Sequence, residues 1–342
     1  MTLQVTAFLG VAHIHTPGFI KTLNRRADEV RVKFVYDHQA ERAELRAGEL
    51  DGAKSISDPR AIFDDPEITS VIVCAETDRH RDLVTQAAQA GKHLFVEKPL
   101  GLGAVDSLPM AAAIKAAGVT FQTGFFMRGA PTAQFIKQEV QAGHLGKITR
   151  VRYSNGHQAA LDGWFDTDWR WLADPKQAGG GAFLDLGAHV LDQIIHIFPQ
   201  TEGEITSVAA SLGNRGGRYG SEIDEYGSGL LTFASGAIAE MEASWVDPAL
   251  HSPTEIFGTE GQIQVKDGSL YFFSKQIDGM DGKTPVTDLP PQAPHAFDLF
   301  WDSLLGKPLP IPLVSVDEAA LGSVLMERLY NAAGRSTTTG LP

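Results

Sequence analysis

Five short apolar runs divide the first 124 residues: 5–10, 31–36, 70–75, 93–96 and 119–123. The intervals contain stretches of helical composition, at 17–26, 39–48, 77–90 and 104–117. Pro17 suits a first helical position, Thr77 can cap the helix after it, and Gly91 suits that helix's end. Strands that are apolar on both faces and separated by helices require a parallel sheet covered on each side. That one feature excludes an all-helical bundle and an all-β sandwich for this part of the chain.

The pattern changes after Gly124. A helix over 131–142 and a strand over 147–153 lead to a glycine-rich loop, Ala178-Gly179-Gly180-Gly181-Ala182, and a helix over 183–198. Strands then follow one another without helices, at 204–212, 226–233, 237–246, 254–258, 262–266 and 269–273, as in an antiparallel sheet. The proline-rich stretch 278–294 reads as a surface loop, and helices near 294–305 and 317–334 close the chain. The expected architecture is an α/β Rossmann domain over 1–124, a doubly wound parallel sheet. It is joined to an α+β domain over 125–342 with a large open, mostly antiparallel sheet.

Composition narrows the function classes. Apolar residues form 43% and charged residues 21% of the 342, ordinary values for a folded chain. The net charge of −13 opposes a phosphate backbone, so no nucleic-acid partner is expected. Cys74 is the lone cysteine, excluding an internal disulfide and fitting a reducing, cytoplasmic location. No apolar run reaches the roughly 18 residues needed to span a bilayer, so no membrane partner is expected. The start, MTLQVTAFLG, lacks a basic segment and reads as a strand rather than a signal peptide.

The first strand ends at Gly10-Val11-Ala12-His13-Ile14-His15. A dinucleotide turn carries glycine at the first, third and sixth of these places, and only Gly10 is present. Asp37, ending the second strand, suits the adenosine ribose hydroxyls and repels a 2′-phosphate, favouring NAD over NADP. The plain alternative is that Asp37 caps the next helix. His13 and His15 lack the further ligands a metal needs, so no metal site is expected. They are assigned to the cofactor pocket or the helix cap.

Two patterns carry chemistry. Glu97-Lys98-Pro99 ends a strand, and the proline holds Lys98 extended at the carboxyl end of the sheet, where doubly wound folds bind ligands. Asp185 and His189, four apart, share one helix face. The expectation is that Asp185 orients His189 as proton acceptor while Lys98 polarises a substrate oxygen, with the Lys98 and His189 roles exchangeable. Trp164, Trp169 and Arg170, in the run before the glycine loop, suit sugar faces and hydroxyls. Arg128, Asn155 and His157 are further substrate candidates. The bland readings are a surface ion pair, a helix-surface contact and loop packing.

Taken together, these motifs resemble the Gfo/Idh/MocA (glucose–fructose oxidoreductase / inositol dehydrogenase / rhizopine catabolism) oxidoreductases over nearly the whole chain. The matching pieces include Gly10, Asp37, Thr77-x-x-His80, Glu97-Lys98-Pro99, the Gly124–Arg128 and Gly143–Ile148 segments, Gly179–His189 and Ile256–Gly261. The resemblance implies that Lys98, Asp185 and His189 form the catalytic trio. It also implies a cofactor site drawn from Gly10, Ala12, His13, Ile14, Asp37, Thr77, His80, Glu97 and Lys98, and homodimers or homotetramers through the C-terminal sheet. The implied activity is NAD-dependent oxidation of a secondary hydroxyl on a small carbohydrate, polyol or glycoside. The rival readings are a glycoside hydrolase or lyase that recycles tightly bound NAD, and a non-catalytic sugar or NAD sensor. Two departures stand out: Ala12 replaces the second glycine, and Glu76 lies where the family usually has a Thr-Pro pair.

Overall fold

The computed structural model describes residues 3–249, 252–335 and 337. Strands β1 (Gln4–Val11), β2 (Val30–Tyr36), β3 (Lys54–Ile56), β4 (Ser70–Cys74), β5 (His93–Val96) and β6 (Phe121–Thr123) form one sheet in the order β3-β2-β1-β4-β5-β6. Every pairing in it is parallel. The order reverses between β1 and β4, and that switch point opens a crevice at the carboxyl ends of the strands. Alternation along the strands explains the run composition. Val5, Ala7 and Leu9 enter one apolar cluster, while Phe8 enters another on the opposite face.

The second sheet holds β7 (Ile148–Gly156), β8 (Ile205–Gly213), β9 (Tyr226–Phe233), β10 (Ile238–Ser244), β11 (Thr254–Gly258), β12 (Gly261–Lys266), β13 (Ser269–Ser274) and β14 (Asp281–Pro285), ordered β14-β13-β12-β11-β7-β10-β9-β8. It is antiparallel except where β7 and β10 run together. One face, including Val151, Leu231, Met241 and Ile256, packs with residues of the helix Ala182–Ile197. The other face leaves Leu230, Ile238 and Phe273 exposed.

The two sheets are those expected, with corrections at the edges. β14 lies inside the stretch read as a loop. Its charged residues, glycine and terminal proline are tolerated because it pairs on one side only. β3, three residues long, is likewise an edge strand without an apolar signature. Thr77 caps nothing with its side chain; it opens a 3₁₀ turn ahead of the helix His80–Gln89. The last two helices return to the first sheet. Phe297, Phe300 and Trp301 of Ala296–Leu304 join Phe8 and Phe95, while Val316, Ala319 and Ala320 of Val316–Ala332 join the cluster on the opposite face. Among the described residues, no helix is long and apolar enough to cross a membrane.

Candidate active site

The glycine-rich loop fixes where the helix Ala182–Ile197 begins. Buried Asp224 accepts the Gly181 and Phe183 N–H groups at 2.9 and 2.8 Å, as an anion at a helix N-terminus should. A Cβ on Gly181 would lie 1.9 Å from the Asp224 carbonyl oxygen, so only glycine fits. The helix thus presents Asp185 and His189 to the crevice above β5.

Lys98 leaves the end of β5 and is 4% exposed. Its Nζ meets Asp185 Oδ1 at 2.5 Å. The other carboxylate oxygen, Oδ2, accepts the Trp245 indole N–H at 3.0 Å. Burial acts to raise the Asp185 pKa, but the Lys98 charge and hydrogen bond, with Trp245, hold it well below the usual carboxylate range. The expected Asp185–His189 pairing is therefore corrected. The two share a face, yet the carboxylate turns to Lys98, because a buried ammonium needs a counter-charge more than a neutral imidazole does.

His189 is 4% exposed, with Phe126 and Phe125 ring centroids 5.0 and 5.9 Å away. Burial first, then the Lys98 charge, pushes its pKa down to about 3, so the ring is neutral at pH 7. Its Nδ1 has no hydrogen-bond partner among the described residues. His157 is close enough for Asp185 and Lys98 to act on its charge, and its ring lies 5.1 Å from that of Trp164. Asn155 instead braces the helix, its Nδ2 donating to the Leu186 carbonyl at 3.4 Å.

Around the first turn, Gly10 has φ +83°, and a Cβ there would lie 2.4 Å from Ala75 Cβ. The Ala12 carbonyl accepts the Trp171 indole N–H at 3.0 Å, tying the second domain to this turn. Ile14 is half-buried against the second core. His13 is buried. Burial outweighs the pull of Glu97 and lowers its pKa to about 3. His15 Nδ1 lies 3.1 Å from Glu97 Oε1, and Glu97 Oε2 accepts the Lys98 N–H at 2.9 Å. His13, His15 and Glu97 place ligand atoms within 4.8 Å of one another, but hydrogen bonding accounts for the arrangement: His13 Nδ1 also accepts the His15 N–H. His80 is a brace, its ring nitrogens each 3.2 Å from the Ala75 and Leu100 carbonyls. Thr77 is buried, and with His13, Lys98, Trp171 and Asp185 it surrounds a void of about 10 Å³.

A larger cavity, about 810 Å³, runs beside Val11, Ala12, Arg42 and Glu76 under a wall that includes Trp169 and Arg170. Lys98, Asp185 and His189 do not line it, so Trp169 and Arg170 are not brought together with the trio. Asp37 directly follows β2, and its side chain is sealed. Oδ2 accepts the Val11 N–H at 2.8 Å, and Oδ1 accepts from Gln39 N at 2.9 Å and Arg42 Nη2 at 2.7 Å. Arg128, expected to reach substrate, is corrected to a buried tie. Its guanidinium bonds Asp192 at 2.5–3.1 Å and Glu318 at 3.2 Å, since a cation at 4% exposure persists only when paired. Trp171 belongs to the aromatic run before the glycine loop but serves as a tie to the first turn, and Trp245 is a site residue the sequence does not point to. The close aromatic spacing of 169 and 171 was a signal for the first; nothing local signals the second.

Acid is expected to destabilise the protein before its carboxylates titrate. The folded pKa values of His13 and His189 lie near 3 against an ordinary 6.5. In that window the unfolded chain binds protons the folded one does not, so stability is full above pH 6.5 and falls below it. Two such groups lower the unfolding free energy by up to about 3 kcal/mol per pH unit. Thermal melts between pH 7 and 5 check this; an unchanged Tm would mean that neither ring is kept neutral by the fold.

The sequence and the fold are similar to those of known proteins. Residues 5–125 match the oxidoreductase family with an NAD-binding Rossmann fold, and residues 133–264 match the GFO/IDH/MocA C-terminal domain. The chain is 33% identical over 226 residues to scyllo-inositol 2-dehydrogenase (NAD(+)) of Bacillus subtilis (strain 168), covering 65% of this chain and 62% of that enzyme. It is 29% identical over 243 residues to 2,7-anhydro-N-acetylneuraminate hydratase of Escherichia coli (strain K12), covering 70% and 61%. In both cases the match spans less than two thirds of the relative. The aldose-aldose oxidoreductase of Caulobacter crescentus, crystallised with glycerol, shares the fold at a TM-score of 0.78 and 22% identity, over 97% of this chain and 98% of that one. With both halves matched in sequence and the whole in fold, the chain belongs to the Gfo/Idh/MocA oxidoreductase family.

Proposed function

We propose that this protein is an NAD-dependent dehydrogenase that oxidises a secondary hydroxyl of a sugar or polyol. The observation that carries the reading is the buried Lys98–Asp185 pair beside a neutral His189 at the carboxyl end of the parallel sheet. The residues present suit a dinucleotide. The turn at Gly10 excludes a side chain, and the adjoining cavity of about 810 Å³ is roomy for the adenosine half. Gly10, Ala12, His13, Ile14, Thr77 and Glu97 would hold it, with Asp37 bracing the turn from below. When bound, the nicotinamide supplies a two-electron hydride acceptor.

The chain's own groups do the proton chemistry. Asp185, fixed by Trp245, holds Lys98 in place, and the Lys98 amino group stabilises negative charge developing on the substrate oxygen. His189, neutral through burial, takes the hydroxyl proton on its unprotonated ring nitrogen. Phe126 and Phe125 fix the plane of that ring. His157 and Trp164 offer the substrate a polar edge and an apolar face. The exposed sheet face bearing Leu230, Ile238 and Phe273 is where a homodimer or homotetramer would form.

The name of the B. subtilis relative points to inositols as first substrates, and that of the E. coli hydratase keeps a second reading, in which NAD is recycled within one turnover. A panel of inositols, sugars, anhydrosugars and glycosides with NAD or NADP separates them. The expected result is steady accumulation of reduced nicotinamide with NAD and a polyol. Product release from tightly bound NAD without net NADH would replace the dehydrogenase by the recycling enzyme, and turnover only with NADP would overturn the cofactor assignment.

A further inference from the structure

We propose that Glu76 is a cofactor-selectivity residue: by pinning Arg42 it denies a cation to a ribose 2′-phosphate and offers a carboxylate oxygen to a ribose hydroxyl instead. This rests on the reading above that the cleft takes a nicotinamide dinucleotide.

Glu76 follows β4 by two residues and is 1% exposed. Its Oε1 accepts from Arg42 Nη2 at 2.7 Å, and the same nitrogen donates to Asp37 Oδ1 at 2.7 Å. One guanidinium edge is thus held between two carboxylates. Glu76 Oε2 and Arg42 Nε both lack hydrogen-bond partners. His38 Nδ1 and Arg79 Nε each lie 3.6 Å from Oε2. Glu76 and Arg42 both line the 810 Å³ cavity beside Val11 and Ala12, whereas the Asp37 carboxylate lies beneath and is already spent on Val11, Gln39 and Arg42.

A buried carboxylate oxygen and a buried N–H, each without a hydrogen-bond partner, are costly unless a ligand completes them. Ribose hydroxyls both donate and accept, so a ribose diol offers what each atom lacks. A phosphate dianion cannot donate to Oε2, stands beside the Glu76 carboxylate, and finds the charge of Arg42 already balanced by Asp37 and Glu76. Arg79 and His38 do not replace that cation, because Glu76 lies against both.

The test is equilibrium binding of NADH and NADPH, and of AMP and 2′,5′-ADP as fragments, to the full chain and to Glu76→Gln and Glu76→Thr. The unsubstituted protein is expected to bind NADH at least about a hundredfold more tightly than NADPH. Either variant should narrow that ratio about tenfold or more, chiefly by tighter NADPH and 2′,5′-ADP binding that weakens with salt. Adding Arg42→Met to Glu76→Gln should abolish the gain. An unchanged ratio in both variants, with folding intact by Tm, would mean that Glu76 only ties two loops together, and the proposal fails while the dinucleotide reading stands. Absence of binding of either dinucleotide to the unsubstituted protein would remove both.

Discussion

Lys98→Met and His189→Ala are each expected to lower kcat by about two to four orders of magnitude while leaving dinucleotide binding measurable. On the proposed mechanism the two losses have different origins. Lys98 supplies charge, fixed by Asp185 at 2.5 Å, so removing it leaves the developing alkoxide without its cation. It also strands a carboxylate, and a lower Tm should accompany the loss. His189 supplies a proton site and makes no ion pair, so its removal should cost turnover with little change in Tm. Steady-state kinetics with a reactive polyol, paired with melts, reads both quantities. Near-normal turnover in His189→Ala beside a loss of about a hundredfold or more in Lys98→Met would make Lys98 the base and leave His189 a packing residue.

Arg128→Ala should be among the most destabilising single changes in the chain, at about 3–5 kcal/mol, because it leaves the Asp192 carboxylate buried and unpaired. Arg128 joins the 3₁₀ turn Phe126–Gly129 to the helix Ala182–Ile197 through Asp192 and to the helix Val316–Ala332 through Glu318. Lys137 and His196 extend the network, with 3.1 Å between Lys137 Nζ and His196 Nε2. Urea unfolding measures the loss. Replacing the pair together, as Arg128→Met with Asp192→Leu, should recover part of it, since an apolar pair of similar volume carries no stranded charge. If Arg128→Ala instead keeps its stability and raises KM, the guanidinium meets substrate and the tie described above is wrong.

The parallel sheet was legible because its strands are apolar on both faces, and the antiparallel sheet because its strands follow one another between glycines. Edge strands escaped, since β3 and β14 bury too little to need an apolar code. At the site, helical spacing correctly placed Asp185 and His189 on one face. It could not show that Asp185 binds Lys98, 87 residues away, or that Trp245 holds the same carboxylate. The role of Arg128 is hidden from the sequence for a related reason. A lone arginine beside a glycine turn reads as a ligand-binding group until Asp192, 64 residues on, is seen to neutralise it. Glu76 was visible as an odd residue, but its meaning depends on Arg42 and Asp37, which no local pattern joins to it.

The return of the last two helices to the first sheet bears on how the molecule is made. Phe8, Phe19 and Phe95 emerge from the ribosome early, yet the Phe297, Phe300 and Trp301 side chains that cover them arrive between about two hundred and three hundred residues later. Ion pairs from Arg26 to Asp298 and Asp302, and from Glu29 to Lys307, join the same distant stretches. A growing chain therefore carries a parallel sheet with part of each apolar face uncovered through most of synthesis. Contacts of such long sequence separation slow folding, and the uncovered parts invite association with other nascent chains until the end is released.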